Sequence, residues 1–383
     1  MKPLGLYIHV PFCVSRCHYC DFYSTTDLRV ENIARYVKAT KKALTGWGSQ
    51  LADHRIATIY FGGGTPGLLG DHLCELMTCV RDAFEVSDGA EVSVEVNPTN
   101  LDSKTLARWI DSGVGRISLG VQSFDERVLK VLGRSHTSSD TMKALAILDE
   151  ADVSVSLDLI CGVPHLGFEG WRAQIEMAIA CDPDHISIYP LTVEEKTPLH
   201  ELAENGEISM PDEDEVADQM ILSETMLSDA GYVHYEVSNY SKDGKCSRHN
   251  TSYWTSVPYL GIGPQAASMR NELNGSRKRM VMHSTLEDYT NEPVRLTEEE
   301  WMECETLTPS EAICEDIMLG MRLLKGVEEK KVQITGLDTV FEELVMSGLV
   351  TLDHDTERYV PTQRGWLLGN EVYSAIWNSS KRS

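Results

Sequence analysis

Three cysteines near the amino terminus carry the most specific chemistry in the chain. They stand in the run His9-Val-Pro-Phe-Cys13-Val-Ser-Arg-Cys17-His-Tyr-Cys20, spaced four and then three. A single short loop bearing three thiols can wrap a compact inorganic centre at little entropic cost. A [4Fe-4S] cluster ordinarily takes four cysteines. Three leave one iron without a protein ligand, and an open position lets a metal bind a substrate. Zinc, with His18 or a distant cysteine as fourth ligand, is the competing reading. Zinc sites usually pair one cysteine knuckle with a second. The other cysteines (Cys74, Cys79, Cys161, Cys181, Cys246, Cys304, Cys314) are scattered and form none.

The elements that must position this loop are legible in the first half of the chain. Short β-branched runs fall at Leu6–Val10, Thr58–Phe61, Glu91–Val96, Arg116–Val121, Val153–Ile160 and His185–Tyr189. Helical periodicity lies between them, at Ile33–Leu51, Leu73–Phe84, Leu106–Ile110, Thr141–Leu148 and Trp171–Ile179. Connections this long argue for parallel strands with right-handed crossovers. Six such units make an α/β fold of the partial (β/α)6 barrel type. Strands buried on both faces should be apolar throughout, yet these alternate. Val92, Val94 and Val96 oppose Ser93, Glu95 and Asn97; Leu157 and Leu159 oppose Ser156 and Asp158. One face packs under helices, and the other is polar and small, as if lining a cavity for a polar ligand. A half-exposed antiparallel sheet is the alternative.

In barrels of this kind, active residues sit at the carboxyl ends of strands. Those ends read His9 to Cys13, Gly62 to Pro66, Glu95 to Pro98, Gln122, Asp158 and Tyr189. The Gly62-Gly63-Gly64-Thr65-Pro66 run follows the second strand directly. By itself a triple glycine is often only a turn, but it also lets backbone approach a ligand closely.

The cysteine triad resembles the signature of the radical S-adenosylmethionine (SAM) superfamily. The resemblance implies that SAM chelates the open iron through its amino and carboxylate groups. It further implies that one electron from the reduced cluster breaks the C–S bond, giving methionine and a 5′-deoxyadenosyl radical. The opening Tyr7-x-His9-x-Pro11-Phe12-Cys13, the GGGTP run, Glu95-x-Asn97-Pro98 and Leu119-Gly-Val-Gln-Ser-Phe124 together resemble one branch over nearly the whole chain. That branch holds the oxygen-independent coproporphyrinogen III oxidases and the HemW-type heme chaperones. It implies SAM contacts from Tyr7, Tyr19, Gly63, Gly64, Thr65, Glu95, Gln122, Arg134 and Asp158. Glu95 and Asp158 can accept hydrogen bonds from hydroxyl or amino groups, and Arg134 can pair with a carboxylate.

Two departures separate the chain from the oxidases. They carry a further cysteine two residues after the triad, where this sequence has Phe22. They also carry an amino-terminal extension, whereas Cys13 stands close to the start here. A third feature, His249-Asn-Thr-Ser-Tyr253-Trp254, resembles the HNxxYW motif that the chaperone branch ties to heme. An imidazole beside aromatic rings suits axial ligation of a flat macrocycle. A satisfied buried histidine is the plain alternative, and Cys246 another candidate ligand. The resemblance thus implies heme or porphyrin as cargo and apo-hemoproteins as acceptors. It also implies an electron donor, and it leaves room for transient membrane-protein contact and a homodimer. The oxidase activity is the runner-up, and a tRNA-modifying radical SAM enzyme is a third class.

Composition sets the outer limits. The chain has 383 residues, 42% apolar and 24% charged, as in a folded globular protein. A formal net charge of −25 disfavours nucleic acid as a general partner, because that needs a positive field. The sequence shows no signal peptide and no apolar window long enough to span a membrane. Ten cysteines without a secretory signal point to a reducing, cytoplasmic setting. The expected divisions are residues 1–230 for the partial barrel with its cluster loop, 231–307 for an extension with the HNxxYW motif and a connector over Asn274–Glu300, and 308–383 for a mixed, winged-helix-like cap. That cap is expected as helices at Ser310–Leu324 and Leu337–Met346, two strands around Asp353–Glu357, and a helix at Gln363–Trp377.

Overall fold

A computed structural model describes residues 1–281, 285–291 and 303–380. Six strands, β1 (Lys2–Val10), β2 (His54–Gly63), β3 (Glu85–Val96), β4 (Arg116–Gln122), β5 (Ser154–Cys161) and β6 (His185–Pro190), pair in sequence order, each parallel to the next. Helices α1 (Val30–Gln50), α2 (Asp71–Ala83), α3 (Ser103–Asp111), α4 (Glu126–Val131), α5 (Ser138–Asp149) and α6 (Gly167–Ala180) fill the crossovers. The partial (β/α)6 barrel read from the alternation is therefore present. The outward face of the strands supplies the core: Leu6, Ile8, Ile59, Phe61, Val94, Ile117, Leu119, Leu157 and Ile186 are buried in one cluster. Helix α1 meets it with Tyr36, Val37, Thr40, Ala43, Leu44 and Trp47, an apolar stripe at three- and four-residue spacing. Side-chain caps fix several starts. Asp102 accepts from the Lys104 and Thr105 amides, and Thr137 and Asp140 form a reciprocal capping box.

The second half departs from the sequence reading in one instructive way. After α7 (Pro198–Glu204) and α8 (Glu213–Asp229), β7 (Val233–Glu236) and β8 (Asn239–Ser241) extend the sheet antiparallel from β6. Past α9 (Arg248–Trp254), β9 (Tyr259–Ile262) runs parallel to β1 on the opposite edge. Then β10 (Ala267–Asn271), β11 (Arg277–Val281) and β12 (Glu303–Leu307) continue antiparallel, with α10 (Leu286–Asn291) between the last two. The result is one sheet of twelve strands. The expected connector over Asn274–Glu300 is thus corrected: its basic cluster, Arg277, Lys278 and Arg279, is strand β11, while residues 282–284 and 292–300 lie outside the described residues. Charged side chains disguised it, because Arg277 is buried by ion pairs rather than by apolar neighbours. Its guanidinium meets Glu315 and Asp316, each at 2.6 Å.

Those two acids belong to α11 (Pro309–Gly320), the first element of the cap. There, β13 (Val327–Glu328), α12 (Glu329–Thr335), α13 (Asp338–Met346), β14 (Val350–Asp353), β15 (Arg358–Pro361), α14 (Gln363–Leu367) and α15 (Gly369–Ser380) follow. A second cluster, including Ile317, Val332, Phe341, Leu344 and Ile376, forms its core. The three-stranded sheet β13-β15-β14 supplies the wing. Asp353 ends β14 and Asp355 and Glu357 lie in the turn before β15, so the expected strand pair flanks this acidic turn. Among the described residues no helix is long and apolar enough to cross a membrane.

Gly48 tests the packing of α1. Helix propensity alone makes Gly48→Ala stabilising by about 1 kcal/mol. A Cβ there would press on the Ala83 carbonyl at the end of α2. We expect the variant to be destabilised by roughly 1–3 kcal/mol in urea unfolding; a gain in stability would show that the helix ends separate freely.

Candidate cofactor cavity

The cysteine loop is a closed excursion from the end of β1. Its neck is pinned where the Cys13 amide donates to Thr25 O at 3.0 Å and the Thr25 amide to Pro11 O at 2.7 Å. Its far side is tied across the barrel mouth. The His18 amide donates to Leu132 O, the His18 ring Nδ1 lies 2.9 Å from Val131 O, and Arg134 Nη1 stands 3.4 Å from Cys17 Sγ. The candidate zinc ligand His18 is therefore turned toward the α4 end. On the near side the glycine turn presses on the loop. A Cβ on Gly64 would sit 2.7 Å from Phe12 O and 3.0 Å from Cys13 Sγ. Gly63 holds φ +108°, and its Cβ would lie 2.6 Å from the His9 ring.

Beneath the loop opens a cavity of about 680 Å³. Cys13, Cys17 and Cys20 line it, and so do Tyr7, Tyr19, Gly63, Gly64, Thr65, Glu95, Gln122, Arg134, Asp158 and His249. The cysteine triad, the nine residues implied as SAM contacts and His249 thus line one cavity, whereas the alternative ligands His18 and Cys246 do not. Glu95 accepts from the Tyr60 hydroxyl at 2.8 Å and from the Gly63 amide at 3.1 Å. Asp158 receives the Ser118 hydroxyl at 3.0 and 3.1 Å. Arg134 donates from Nη2 to Asn97 Oδ1 at 2.6 Å and to Gly120 O at 2.9 Å. Gln122 sits at φ +62°, uncommon for a residue with a side chain. Tyr60, Arg116 and His185 also line the cavity and were missed. Their signal was the same two-residue alternation, but Tyr60 sits in an aromatic-apolar run and the other two open their strands.

His249 lies at the floor, 1% exposed. Its Nδ1 is 2.8 Å from Thr58 Oγ1 and its Nε2 is 2.8 Å from the Tyr253 hydroxyl. The ring stacks on Tyr60 with centroids 5.0 Å apart. Burial pulls its pKa down to about 3, so it is neutral. Cys246 stands 3.2 Å from Ser241 Oγ and is not among the lining residues.

Burial governs the electrostatics. It pushes Glu95 up to about 7, against the hydrogen bonds from Tyr60 and Gly63, and Asp158 up to about 6, against those from Ser187 and Ser118. Burial also raises the Cys13 thiol and takes Cys20 up to about 11. Metal binding then has to displace protons from these sulfurs. The donor set fits an iron–sulfur cluster: all three sulfurs face one cavity, the Thr65 hydroxyl lies 3.9 Å from Cys13 Sγ, and a guanidinium lies beside Cys17. Among the described residues no three His, Cys, Asp or Glu gather closely enough for a metal ion. A four-iron cube is met at separate corners, so its ligands need not converge on one point.

A parallel partial barrel with a three-thiol loop and a glycine turn at its carboxyl rim defines a radical SAM protein, and the model of the radical SAM superfamily matches residues 7–178. A heme chaperone HemW from Mycobacterium tuberculosis is 33% identical over 381 residues, 98% of this chain and 95% of the relative. A HemW from Synechocystis is 34% identical over 85% of this chain and 80% of the relative. A mouse mitochondrial protein, radical S-adenosyl methionine domain-containing protein 1, is 34% identical over 91% and 82%. The chain belongs to the HemW family within that superfamily. Its fold is shared with coproporphyrinogen III oxidase (HemN) from Escherichia coli, at TM-score 0.81 and 20% identity over 99% of this chain and 91% of that one.

The raised acids set a pH dependence. A carboxyl whose native pKa lies above its ordinary value binds its proton in the folded chain before the unfolded one does. Between the ordinary 4.5 of Glu95 and its native value near 7, protonation therefore favours folding, and the contribution of Glu95 to the stability of the ligand-free protein rises as pH falls through that window, against the buried histidines, whose lowered pKa values act in the opposite sense. Thermal unfolding from about pH 8 down to about 5.5 should show wild type gaining stability relative to Glu95→Gln. A variant profile parallel to wild type would place the carboxyl in water.

Proposed function

We propose that the chain is a heme chaperone: it binds heme and passes it to apo-hemoproteins, using a [4Fe-4S] cluster on Cys13, Cys17 and Cys20 together with SAM. The observation that carries this reading is the cavity under the thiol loop in a chain about one-third identical to HemW chaperones over most of its length. In this reading the backbone of Gly63 and Gly64, with Thr65, receives the amino group of SAM, and Arg134 its carboxylate. Glu95 and Asp158 accept from the ribose hydroxyls or the amino group; Tyr7, Tyr19 and Gln122 complete the walls. The bound cluster and SAM supply one-electron chemistry or a structural and regulatory state. His249 is the proposed heme ligand, and its Nε2 must exchange the Tyr253 hydroxyl for iron. Residues 1–230 then hold the cofactors, 231–307 carry the heme-linked motif, and 308–383 meet protein partners. Apo-hemoproteins near membranes, an electron donor, a cytoplasmic setting and a homodimer complete the proposal.

Phe22, where the oxidases carry a cysteine, is 61% exposed beside the cluster loop. This favours the chaperone over the second reading, oxidative decarboxylation of coproporphyrinogen III. Anaerobic protein incubated with coproporphyrinogen III, SAM and reductant is expected to give no protoporphyrinogen; sustained turnover would establish the oxidase instead. Added heme should give a shifted Soret band that is lost in His249→Ala, and an unchanged spectrum in that variant would remove His249 from the heme site. Iron and sulfide counts under anaerobiosis should report a four-iron cluster, with iron lost in Cys17→Ala. A colourless preparation holding a single zinc ion would end the cluster reading.

A further inference from the structure

The cavity continues well below the cofactor rim. Along β4 the residues facing it are Arg116, Ser118, Gly120 and Gln122, and at about 3.3 Å per residue they span about 20 Å. The cysteine loop and the glycine turn stand at the carboxyl ends of the strands, so Arg116, the first residue of β4, lies at the opposite end. In register it sits beside Ser93 of β3 and Ser154 of β5, one row below Ser118 and Ser156.

Arg116 is 5% exposed. It donates from Nη1 to Lys245 O at 3.3 Å and makes no direct salt bridge among the described residues, while its charge acts through space on Asp158 and works against burial to lower the pKa of that carboxyl. Asp158 on the next strand is engaged by Ser118. The remaining floor is neutral: Ser156 Oγ lies 2.7 Å from His185 Nδ1, and His185 Nε2 lies 2.9 Å from the Tyr235 hydroxyl. Arg134, by contrast, spends its donors on Asn97, Gly120 O and Cys17 at the rim. A buried guanidinium with a single hydrogen bond and only a through-space counter-charge in Asp158 is costly, and this one opens onto a cavity.

We propose that Arg116 forms the base of a second ligand subsite, beneath the cofactor position, that takes an aliphatic carboxylate. The guanidinium fork matches a carboxylate in a two-point pairing. Glu95 and Asp158 higher in the same cavity disfavour a doubly charged phosphate and tolerate a single negative charge better. The carboxylate can belong to a free short-chain acid or to the side arm of a larger molecule reaching down the barrel. The subsite itself does not depend on the heme reading.

The test uses the full chain with cluster reconstituted and SAM present. Sodium propionate is titrated calorimetrically against sodium chloride at equal ionic strength. In parallel, the affinity for heme is compared with that for heme dimethyl ester, which lacks free carboxylates. Saturable propionate binding, weakened roughly tenfold or more in Arg116→Met, supports the subsite with a free acid as ligand. Without propionate binding, a preference for heme over its diester that disappears in Arg116→Met supports it with a side arm as ligand. Should Arg116→Met not fold, Arg116→Lys, which keeps the charge without the fork, is expected to weaken the same binding several-fold. Absence of both effects in wild type, or equal binding in the variants, overturns the proposal. Loss of heme binding alone would count against the chaperone reading and leave the propionate titration to decide this one.

Discussion

Glu95 fastens the glycine turn to the barrel, and the placement of the cysteine loop follows from that contact. Its carboxylate takes the Gly63 amide and the Tyr60 hydroxyl, so β3 holds the end of β2 in place. The Gly64 amide then donates to Val10 O at 2.8 Å, and the turn lies against Cys13. Across the mouth, Arg134 bridges Asn97 after β3, the Gly120 carbonyl of β4 and the Cys17 sulfur. The loop is thus held on two sides by the groups that line the space below it. A buried acid is costly unless its lone pairs are occupied, and here the occupants are the elements the site requires.

The acidity of the chain as a whole says little about this interior. Net charge −25 describes the exterior, where charges are screened within about 10 Å at 0.1 M salt. Inside, one cavity lined by Ser, Tyr and Gly, with the exposed Arg16, Asp21 and Glu194 also in its lining, is faced by Arg116, Arg134, Glu95 and Asp158. Exclusion of water makes each of these charges count for more than any on the surface. A protein with this surface can therefore still bind anionic groups.

The HNxxYW segment shows how the sheet extension serves the barrel. Helix α9 starts where the Arg248 and His249 amides donate to Glu91 of β3, at 2.8 and 2.9 Å. That contact sends the His249 ring to Thr58 and Tyr60 of β2. Trp254 at the other end donates to the buried Glu236, whose carboxyl burial raises to about 7, and its ring stacks with Arg322 of the cap. A helix of about two turns links β2, β3, β7 and the cap.

The sequence alone settled the three-thiol loop, the six parallel strands, the helices between them and which face of each strand looks inward. These are local properties: thiol spacing is covalent, and two-residue alternation survives without knowledge of neighbours. Through the family its motifs resemble, it also implied thirteen site residues that line one cavity. The tertiary structure decided what depends on pairing between distant segments. Strand β11 is a strand because Glu315 and Asp316, some forty residues on, neutralise Arg277. Arg116 and His185 belong to the cavity because register aligns them with Ser154 and Ser156. Both nitrogens of His249 are occupied by hydroxyls from β2 and α9. No pattern within a short window encodes such contacts, because burial of a charged or polar group depends on partners that only the folded chain brings within hydrogen-bonding distance.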